Sequence, residues 1–246
     1  MPDPKQIAQE NLETRIRSNP YPGRGILIGL SEDGTRLVQA YWIMGRSPNS
    51  RNRVFRAEGG DVWTEAADPA KVEDPSLIIY NAMRELDGVY IVSNGDQTDT
   101  IHDSLRHGAT FEQALATRAH EPDAPNYTPR ISGLIDARSG VALAKMSVIK
   151  ASAFGPEHSA RSYFEIDDFS PGLGCCVTTY VGDGAPLPPF EGEPFLLPLA
   201  AGEDAIADAL WSALDADNKV SLAVKTLDLG EIEESRIVLR NKYEKV

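Results

Sequence analysis

The chain has 246 residues, of which 41% are hydrophobic and 25% charged, and its formal net charge is −13. This length and composition are typical of one large globular domain with a substantial core, so we expect a single domain over residues 1–246. The negative charge argues against a general nucleic-acid binder, which needs a basic surface.

The first half of the chain is predicted to contain an N-terminal helix, several strands and a pair of helices. Residues 1–20 show helical spacing and predict a helical arm. Short apolar runs separated by turn residues then predict two hairpins and two further strands. The hairpins are Gly25–Leu30 with Leu37–Met44 and Val54–Ala57 with Val62–Thr64, and the further strands are Leu77–Met83 and Val89–Ser93. The stretch from Leu77 to Leu86 is equally compatible with a helix. The helices run from Thr98 or Asp99 to His107 and, behind a capping box at Thr110 and Gln113, from Phe111 to Ala119.

The second half returns to strands and ends with a helix and two strands. A proline-rich loop, Glu121–Pro129, comes first, and residues 182–194 form a loop rich in proline and glycine. The predicted strands are Ile131–Ile135, Val141–Ile149, Ser162–Ile166 within a less regular stretch 150–168, Gly174–Val181, Val220–Leu229 and Arg236–Leu239, with a helix at Ala205–Leu214. Runs of strands separated from runs of helices predict an α+β fold of largely antiparallel sheets. Neither a dinucleotide-binding glycine motif nor a P-loop occurs.

The segment Gly45–Phe55 carries three arginines, Arg46, Arg51 and Arg53, among small hydrogen-bonding side chains. Serine and asparagine beside a proline favour a turn, and arginine presents planar donors that suit phosphate and carboxylate groups. The segment therefore predicts a loop that closes over an anion. Scattered surface arginines are the alternative at this point.

The remaining composition predicts a cytoplasmic protein without a metal site or a membrane partner. The adjacent cysteines Cys175 and Cys176 give no disulfide framework and are expected to be small core residues in a reducing compartment. The chain shows no signal-peptide pattern and no apolar run of membrane-spanning length. Its four histidines are scattered, and no C-x-x-C occurs.

No conventional nucleophile is evident, because the sequence has neither a G-x-S-x-G elbow nor a triad pattern. Polar clusters instead follow four predicted strands, at Gly45–Arg53, Tyr80–Asn81, Ser93–Asp99 and Glu121–Arg130. Taken singly, each is also compatible with an ordinary turn or with core packing. Together they favour cofactor-free acid–base and electrostatic chemistry on an anionic substrate, performed by arginine, tyrosine and a carboxylate.

Five segments, in this order, resemble the archaeal-type IMP cyclohydrolase family. They are Tyr21–Gly25, Arg46–Arg53, Asp74–Asn81, Ser93–Ile101 and Thr128–Ile131. The resemblance implies a four-layer α-β-β-α sandwich like that of the N-terminal-nucleophile hydrolases, here without the terminal nucleophile. It also implies closure of 5-formamidoimidazole-4-carboxamide ribotide to IMP with loss of water, the last step of purine biosynthesis, with no cofactor.

By similarity, the catalytic residues are Arg53, Tyr80 and Glu121, with Asp123 as a competitor for the role of Glu121. The same resemblance assigns substrate binding to Arg24, Arg46, Ser47, Asn81, Asn94, Thr98 and Arg130. The N-terminal arm, the 182–194 loop and the C-terminal tail are read as additions that build a lid or a homo-oligomer interface. Two alternatives stay open: a non-catalytic binder of purine ribotides, and an amide hydrolase of the same fold with another substrate.

Overall fold

The structure is a computed structural model that describes residues 2–72, 74–139, 142–230 and 235–244. In these residues the strands form two sheets, and all neighbouring strands within each sheet are antiparallel. The first sheet contains β1 (Gly25–Leu30), β2 (Arg36–Met44), β10 (Leu173–Thr178), β11 (Phe195–Pro198), β12 (Lys219–Asp228) and β13 (Ser235–Asn241). The second contains β3 (Val54–Glu58), β4 (Asp61–Glu65), β5 (Asn81–Leu86), β6 (Val89–Ser93), β7 (Arg130–Asp136), β8 (Leu143–Ser152) and β9 (Gly155–Ile166). The predicted α+β class with antiparallel sheets is confirmed.

The strand order places β1 and β2 inside the first sheet, which runs β11-β10-β1-β2-β12-β13. The second sheet follows chain order from β3 to β9. The predicted hairpin of β1 and β2 forms with Gly25 opposite Trp42 and Leu30 opposite Leu37. A side chain at Gly25 would collide with the Trp42 ring, whose Cζ2 lies 2.0 Å from the position of a Cβ. Glycine therefore lets the indole lie across β1 and donate to the carbonyl oxygen of Gly23.

The helices are short and lie against the sheets. They are α1 (Pro4–Asn11), continued by a π-helical segment at Leu12–Arg17, α2 (Pro48–Arg51), a 3₁₀ turn (Pro69–Lys71), α3 (Gln97–Arg106), α4 (Phe111–Ala116) and α5 (Glu203–Ala213). Helices α3 and α4 pack on the second sheet through an apolar cluster that includes Ile101, Phe111 and Leu134. Helix α1 contacts β11, and α5 contacts β12 and β13.

The main core lies between the two sheets. Ile26 and Ile28 of β1 reach toward Gly133 of β7, where their methyl groups lie 3.1 and 2.8 Å from the position of a Cβ on that glycine. Val92 of β6 closes the same site from the neighbouring strand at 3.0 Å. Since Gly133 has no side chain, the apolar side chains of β1 approach the backbone of β7 closely. The buried residues of this core extend over both sheets and include Ile206 and Leu210 of α5.

Two of the predicted strands differ most in extent from the structure. Leu77–Tyr80 forms a turn in which the amides of Ile78 and Ile79 bond to the carbonyl oxygen of Pro75, so β5 begins only at Asn81. Strand β9 is longer than predicted, because it pairs with β8 along most of its twelve residues. The short strand β11 was not predicted. Among the described residues, no helix is long and apolar enough to cross a membrane.

The helix predictions are close to the structure. Helix α3 begins at Gln97 with Asp96 as its N-terminal neighbour, one or two residues earlier than expected. Helix α4 starts with the predicted capping box, in which Thr110 accepts from the amide of Gln113 and the Gln113 side chain accepts from the amide of Thr110. Cys176 is buried and Cys175 partly buried, and both are free thiols.

Candidate functional site

A polar cavity of about 210 Å³ opens where the loops around β1, β2, β7 and β10 meet. Its walls come from segments far apart in sequence. The lining residues are Tyr21, Arg24, Met44, Arg46, Ser47, Ser50, Arg53, Asp123, Asn126, Thr128, Tyr180 and Leu187. Three arginines therefore face one small space in a protein of net charge −13. Such a local excess of positive charge favours a small anionic ligand.

The segment Gly45–Phe55 positions the deepest of these arginines through a one-turn helix. Ser47 caps α2 by accepting from the amide of Ser50 at 3.1 Å, and the Ser50 hydroxyl accepts from the amide of Ser47 at 3.0 Å. This capping box turns the chain sharply after β2. Arg53 lies immediately before β3 with its side chain in the interior, where its Nε donates to the carbonyl oxygen of Ser50 at 2.9 Å.

The Arg53 side chain is completely buried, yet two of its three donor nitrogens are unused among the described residues. Neither Nη1 nor Nη2 has a partner among the described residues. Burial lowers the pKa of Arg53 below its ordinary value, because the charged form loses hydration. Buried donors without partners are unfavourable in the free protein. An anion or a polarised oxygen that enters the cavity would satisfy these two donors.

Two tyrosines lie beside this guanidinium. Tyr80 precedes β5 and is buried, and its hydroxyl oxygen lies 2.7 Å from that of Tyr41 on β2. Tyr41 is also buried, with its ring 5.6 Å from that of Phe55. Burial raises the pKa of Tyr41 well above its ordinary value, so its hydroxyl keeps its proton. Both tyrosines interact electrostatically with Arg24 and Arg53.

Glu121 supplies a buried carboxylate to the same region. Its Oε2 lies 3.6 Å from Nη1 of Arg24, and 3% of the glutamate side chain is exposed. Burial raises the pKa of Glu121 above its ordinary value, while the charges of Arg24 and Arg130 oppose this change. A carboxyl group with a raised pKa is suited to accept and return a proton near neutral pH.

Asp123, the competing carboxylate, also lines the cavity but has a different set of partners. Its Oδ1 accepts from the amide of Thr128 at 2.6 Å, and its Oδ2 accepts from the Thr128 hydroxyl at 2.5 Å. The Thr128 hydroxyl lies 2.6 Å from that of Tyr180. Asp123 thus ties the two ends of the Glu121–Pro129 loop together. Of the two acids, Glu121 is the one paired with an arginine of the cavity.

The rim of the cavity is closed by the proline- and glycine-rich loop of residues 182–194. Arg46 donates to the carboxylate of Asp183 and, at 3.1 Å, to the carbonyl oxygen of Gly184. The same guanidinium lies over the Tyr21 ring, 4.9 Å from its centroid. Arg46 is partly exposed, in contrast to Arg53. It can therefore exchange its surface partner for an incoming anionic group.

Residues 21–231 match the model of the family described as IMP cyclohydrolase-like protein. The chain belongs to this family.

Relatives of the chain include proteins named IMP cyclohydrolase from several archaea. The protein of Methanothrix thermoacetophila is 34% identical over 128 residues, which cover 49% of this chain and 60% of the relative. That of Methanosphaera stadtmanae is 33% identical over 123 residues, covering 48% and 59%. That of Methanocaldococcus jannaschii is 28% identical over 118 residues, covering 47% and 57%. The chain thus matches about three fifths of the length of these relatives.

The cavity of this IMP cyclohydrolase-like chain is lined by four of the ten residues predicted to act on a substrate: Arg24, Arg46, Ser47 and Arg53. Tyr80 and Glu121 do not line it, but both are buried and interact electrostatically with Arg24 and Arg53. The catalytic and binding roles of these six residues stay predictions.

The other four predicted contacts, Asn81, Asn94, Thr98 and Arg130, are absent from the lining of the cavity. Asn81 donates to Asp99 of α3, and Asn94 bonds to the backbone of Pro129 and Ile131. Thr98 lies 2.5 Å from the Ser93 hydroxyl. Arg130 donates to Asp96 and Gln97, and its charge acts on Glu121. In this structure these side chains join α3 to the second sheet, and their role as substrate contacts rests on the resemblance.

The sequence did not predict that the side chains of Tyr41, Thr128 and Tyr180 would form hydrogen bonds with other residues of the site. Tyr41 lies in the apolar run Leu37–Met44 and follows the pattern of an ordinary core residue. Tyr180 similarly lies in the predicted strand Gly174–Val181, two residues beyond the end of β10. The only available signal was that a buried tyrosine hydroxyl needs a partner. That signal does not say where in the chain the partner lies.

Proposed function

We propose that this chain is an IMP cyclohydrolase, which closes 5-formamidoimidazole-4-carboxamide ribotide to IMP with loss of water. Membership of the family supports the reaction, and the names of the archaeal relatives support the substrate. The observation that carries the proposal is the buried Arg53 guanidinium with two donors left for a ligand, beside Tyr80 and near Glu121.

The reaction requires one nitrogen to lose a proton while one oxygen gains negative charge. The carboxamide nitrogen is a poor nucleophile, so a base must accept its proton as it attacks the formyl carbon. We assign this step to Glu121, whose raised pKa suits proton exchange. Arg24 holds that carboxylate in place from 3.6 Å. In this role Arg24 orients the base, which differs from the phosphate contact suggested by the sequence.

The formyl oxygen becomes an oxyanion and then departs as water. Arg53 supplies two charged donors that need no reorganisation when the charge develops, because its position is fixed by burial and by Ser50. Tyr80 supplies a hydroxyl donor next to it. Preorganised donors of this kind commonly account for about 10²-fold or more in rate each. The 5′-phosphate then lies toward Arg46 and Ser47 at the rim, where Arg46 exchanges Asp183 for the ligand.

We also propose the finer architecture and assembly implied by the family. The packing of α1 and α5 on the first sheet and of α3 and α4 on the second supports an α-β-β-α sandwich of the kind found in N-terminal-nucleophile hydrolases, within a single domain. A cytoplasmic homo-oligomer fits a purine-biosynthesis enzyme that needs no membrane. Light scattering behind a sizing column measures the assembly directly, and a mass equal to one chain would refute the oligomer.

The function is tested by mixing the purified protein with the formamido ribotide and recording the ultraviolet absorbance of the hypoxanthine ring. We expect IMP to form without added metal or nucleotide. Titration calorimetry with IMP runs beside the assay. Binding of IMP without turnover would replace the proposal with a non-catalytic ribotide binder. If neither binding nor turnover is seen, an amide substrate of another kind becomes the better candidate.

A further inference from the structure

We propose that Tyr41 is a positioning residue whose hydroxyl donates to Tyr80 and thereby directs the Tyr80 proton toward the departing oxygen of the substrate. This inference rests on the proposed function. It adds to the site a residue that lies one layer behind the cavity. The structural basis is the pair of buried tyrosine hydroxyls, whose oxygens lie 2.7 Å apart and join the two sheets.

The position of Tyr41 is fixed by its strand. Tyr41 is completely buried on β2, paired with Ile26 of β1 and Ala223 of β12, and its ring packs against Phe55. Tyr80 lies next to the second sheet, in the turn before β5. Its amide donates to the Thr64 hydroxyl at 2.9 Å. The hydroxyl pair thus connects an inner strand of the first sheet to the turn that leads into the second sheet. Without Tyr41, the Tyr80 hydroxyl would lose its fixed direction.

The 2.7 Å separation of the two hydroxyl oxygens permits either one to donate, and in the proposed arrangement Tyr41 donates to Tyr80. Arg24 and Arg53 also act on Tyr41, but a guanidinium only donates, so neither arginine competes with Tyr80 for the Tyr41 proton. A Tyr80 hydroxyl that accepts from Tyr41 has its own proton available for a ligand, whereas the reverse direction would use that proton on Tyr41.

This arrangement matters most when charge moves onto the Tyr80 oxygen. As the carboxamide nitrogen attacks the formyl carbon, the carbonyl electrons move to the formyl oxygen. Tyr80 donates a proton to that oxygen. The bond from Tyr41 then stabilises the charge left on Tyr80. The carboxamide nitrogen and the formamido nitrogen each give up one proton in total. One reaches the leaving oxygen and the other restores Tyr80, so the products are IMP, water and an unchanged enzyme.

The test compares Tyr41→Phe, Tyr80→Phe and the double variant with the wild-type chain. The matched control is Tyr90→Phe, which removes a hydroxyl from another buried tyrosine of the main core, outside the proposed machinery. We expect Tyr41→Phe to lower kcat by about tenfold with KM and IMP affinity unchanged, since one hydrogen bond to a group that gains charge is lost. Tyr90→Phe should keep the wild-type kcat.

The double variant separates a role through Tyr80 from a general structural effect. If Tyr41 acts through Tyr80, then Tyr41→Phe should cause no further loss of kcat in the Tyr80→Phe background. Equal losses in both backgrounds would overturn the inference, and so would a Tyr41→Phe variant as fast as the wild type. A wild-type chain without turnover would refute the proposed function and, with it, this role. A melting temperature for each variant identifies any loss of folding.

Discussion

Replacing Arg53 with methionine should stabilise the fold while lowering turnover by about 10²-fold or more. In the free protein, two buried donors of Arg53 have no partner among the described residues, and each such group costs about 1–3 kcal/mol. Methionine removes both donors and keeps much of the apolar stem. The variant loses the bond from Nε to the Ser50 oxygen, which offsets about 2 kcal/mol of the gain. The net expectation is a stabilisation of about 2 kcal/mol.

For a chain of this length, each kcal/mol changes the melting temperature by about 2–4 °C, so we expect Arg53→Met to melt about 4–8 °C higher. Turnover should fall by about 10²-fold or more, because the oxyanion loses both donors. Calorimetry and the absorbance assay measure the two effects on the same preparation. A variant that melts below the wild type would contradict the view that Arg53 is an unfavourable buried charge retained for its ligand.

Arg51 provides the matched control from the same turn. Its Nε donates to the Gly45 oxygen at 2.8 Å, and its Nη2 donates to Asn218 at 3.0 Å. Because these donors are paired, Arg51→Met should lower stability by about 1–2 kcal/mol. The opposite signs of the two substitutions distinguish an unsatisfied arginine from a satisfied one. If both variants lose stability equally, hydrogen bonding does not explain the difference between these positions.

Three further predictions concern pH and packing. Glu121→Gln should lower kcat and remove the acidic limb of the profile of kcat against pH. In the wild type this limb should lie above the ordinary glutamate pKa of 4.5, because the pKa of Glu121 is raised. A limb that persists in the variant belongs to another group. Lys225→Met should lower stability by about 1–3 kcal/mol, since the buried ammonium donates to Glu85 at 2.9 Å and to the Gly60 oxygen. Burial lowers the pKa of Lys225 in the folded protein, so the unfolded chain binds more protons than the folded one as the pH approaches the ordinary lysine pKa of 10.5. The free energy of unfolding of the wild type should therefore rise with pH up to about 10.5. Urea unfolding of Lys225→Met should lack this rise. Gly133→Ala should lower the free energy of unfolding by about 1–3 kcal/mol, measured by thermal unfolding, because a Cβ would lie 2.8 Å from the Ile28 side chain. The control is Gly59→Ala, where a Cβ would meet open space. This variant should show only the cost of its positive φ.

The sequence predicted strands best where both a turn and a buried face marked them. The β1–β2 hairpin has an apolar run on each side of Glu32-Asp33-Gly34, so its pattern alone was sufficient. Strand β9 carries mostly exposed polar side chains along an edge of its sheet, and its β-structure comes from backbone pairing with β8. No periodicity in the side chains records such pairing. At Leu77–Tyr80 the side chains predict a strand that does not form. The apolar residues favour a strand, but Pro75 initiates a turn.

The candidate site was predictable in its residue types and only partly in its partners. The three arginines of Gly45–Phe55 indicated an anion, but the sequence did not say which of them would be buried. That difference depends on α2, which turns Arg53 inward and leaves Arg51 bonded to Asn218, 167 positions away. Pairings such as Arg24 with Glu121 and Tyr41 with Tyr80 likewise join segments that are distant in the sequence. Local patterns cannot predict them, because the fold brings these residues together.

The contrast between the buried Arg53 and the partly exposed Arg46 has a consequence for the effect of ionic strength. Mobile ions screen charges that face solvent, with a Debye length of about 8 Å at physiological salt, and screen buried charges much less. Added salt should therefore change the encounter of an anionic ligand with Arg46 and with the surface of a protein of net charge −13. The attraction exerted by Arg53 at the reacting oxygen should be nearly independent of salt. Substrate capture and the chemical step would then respond differently to the same change of buffer.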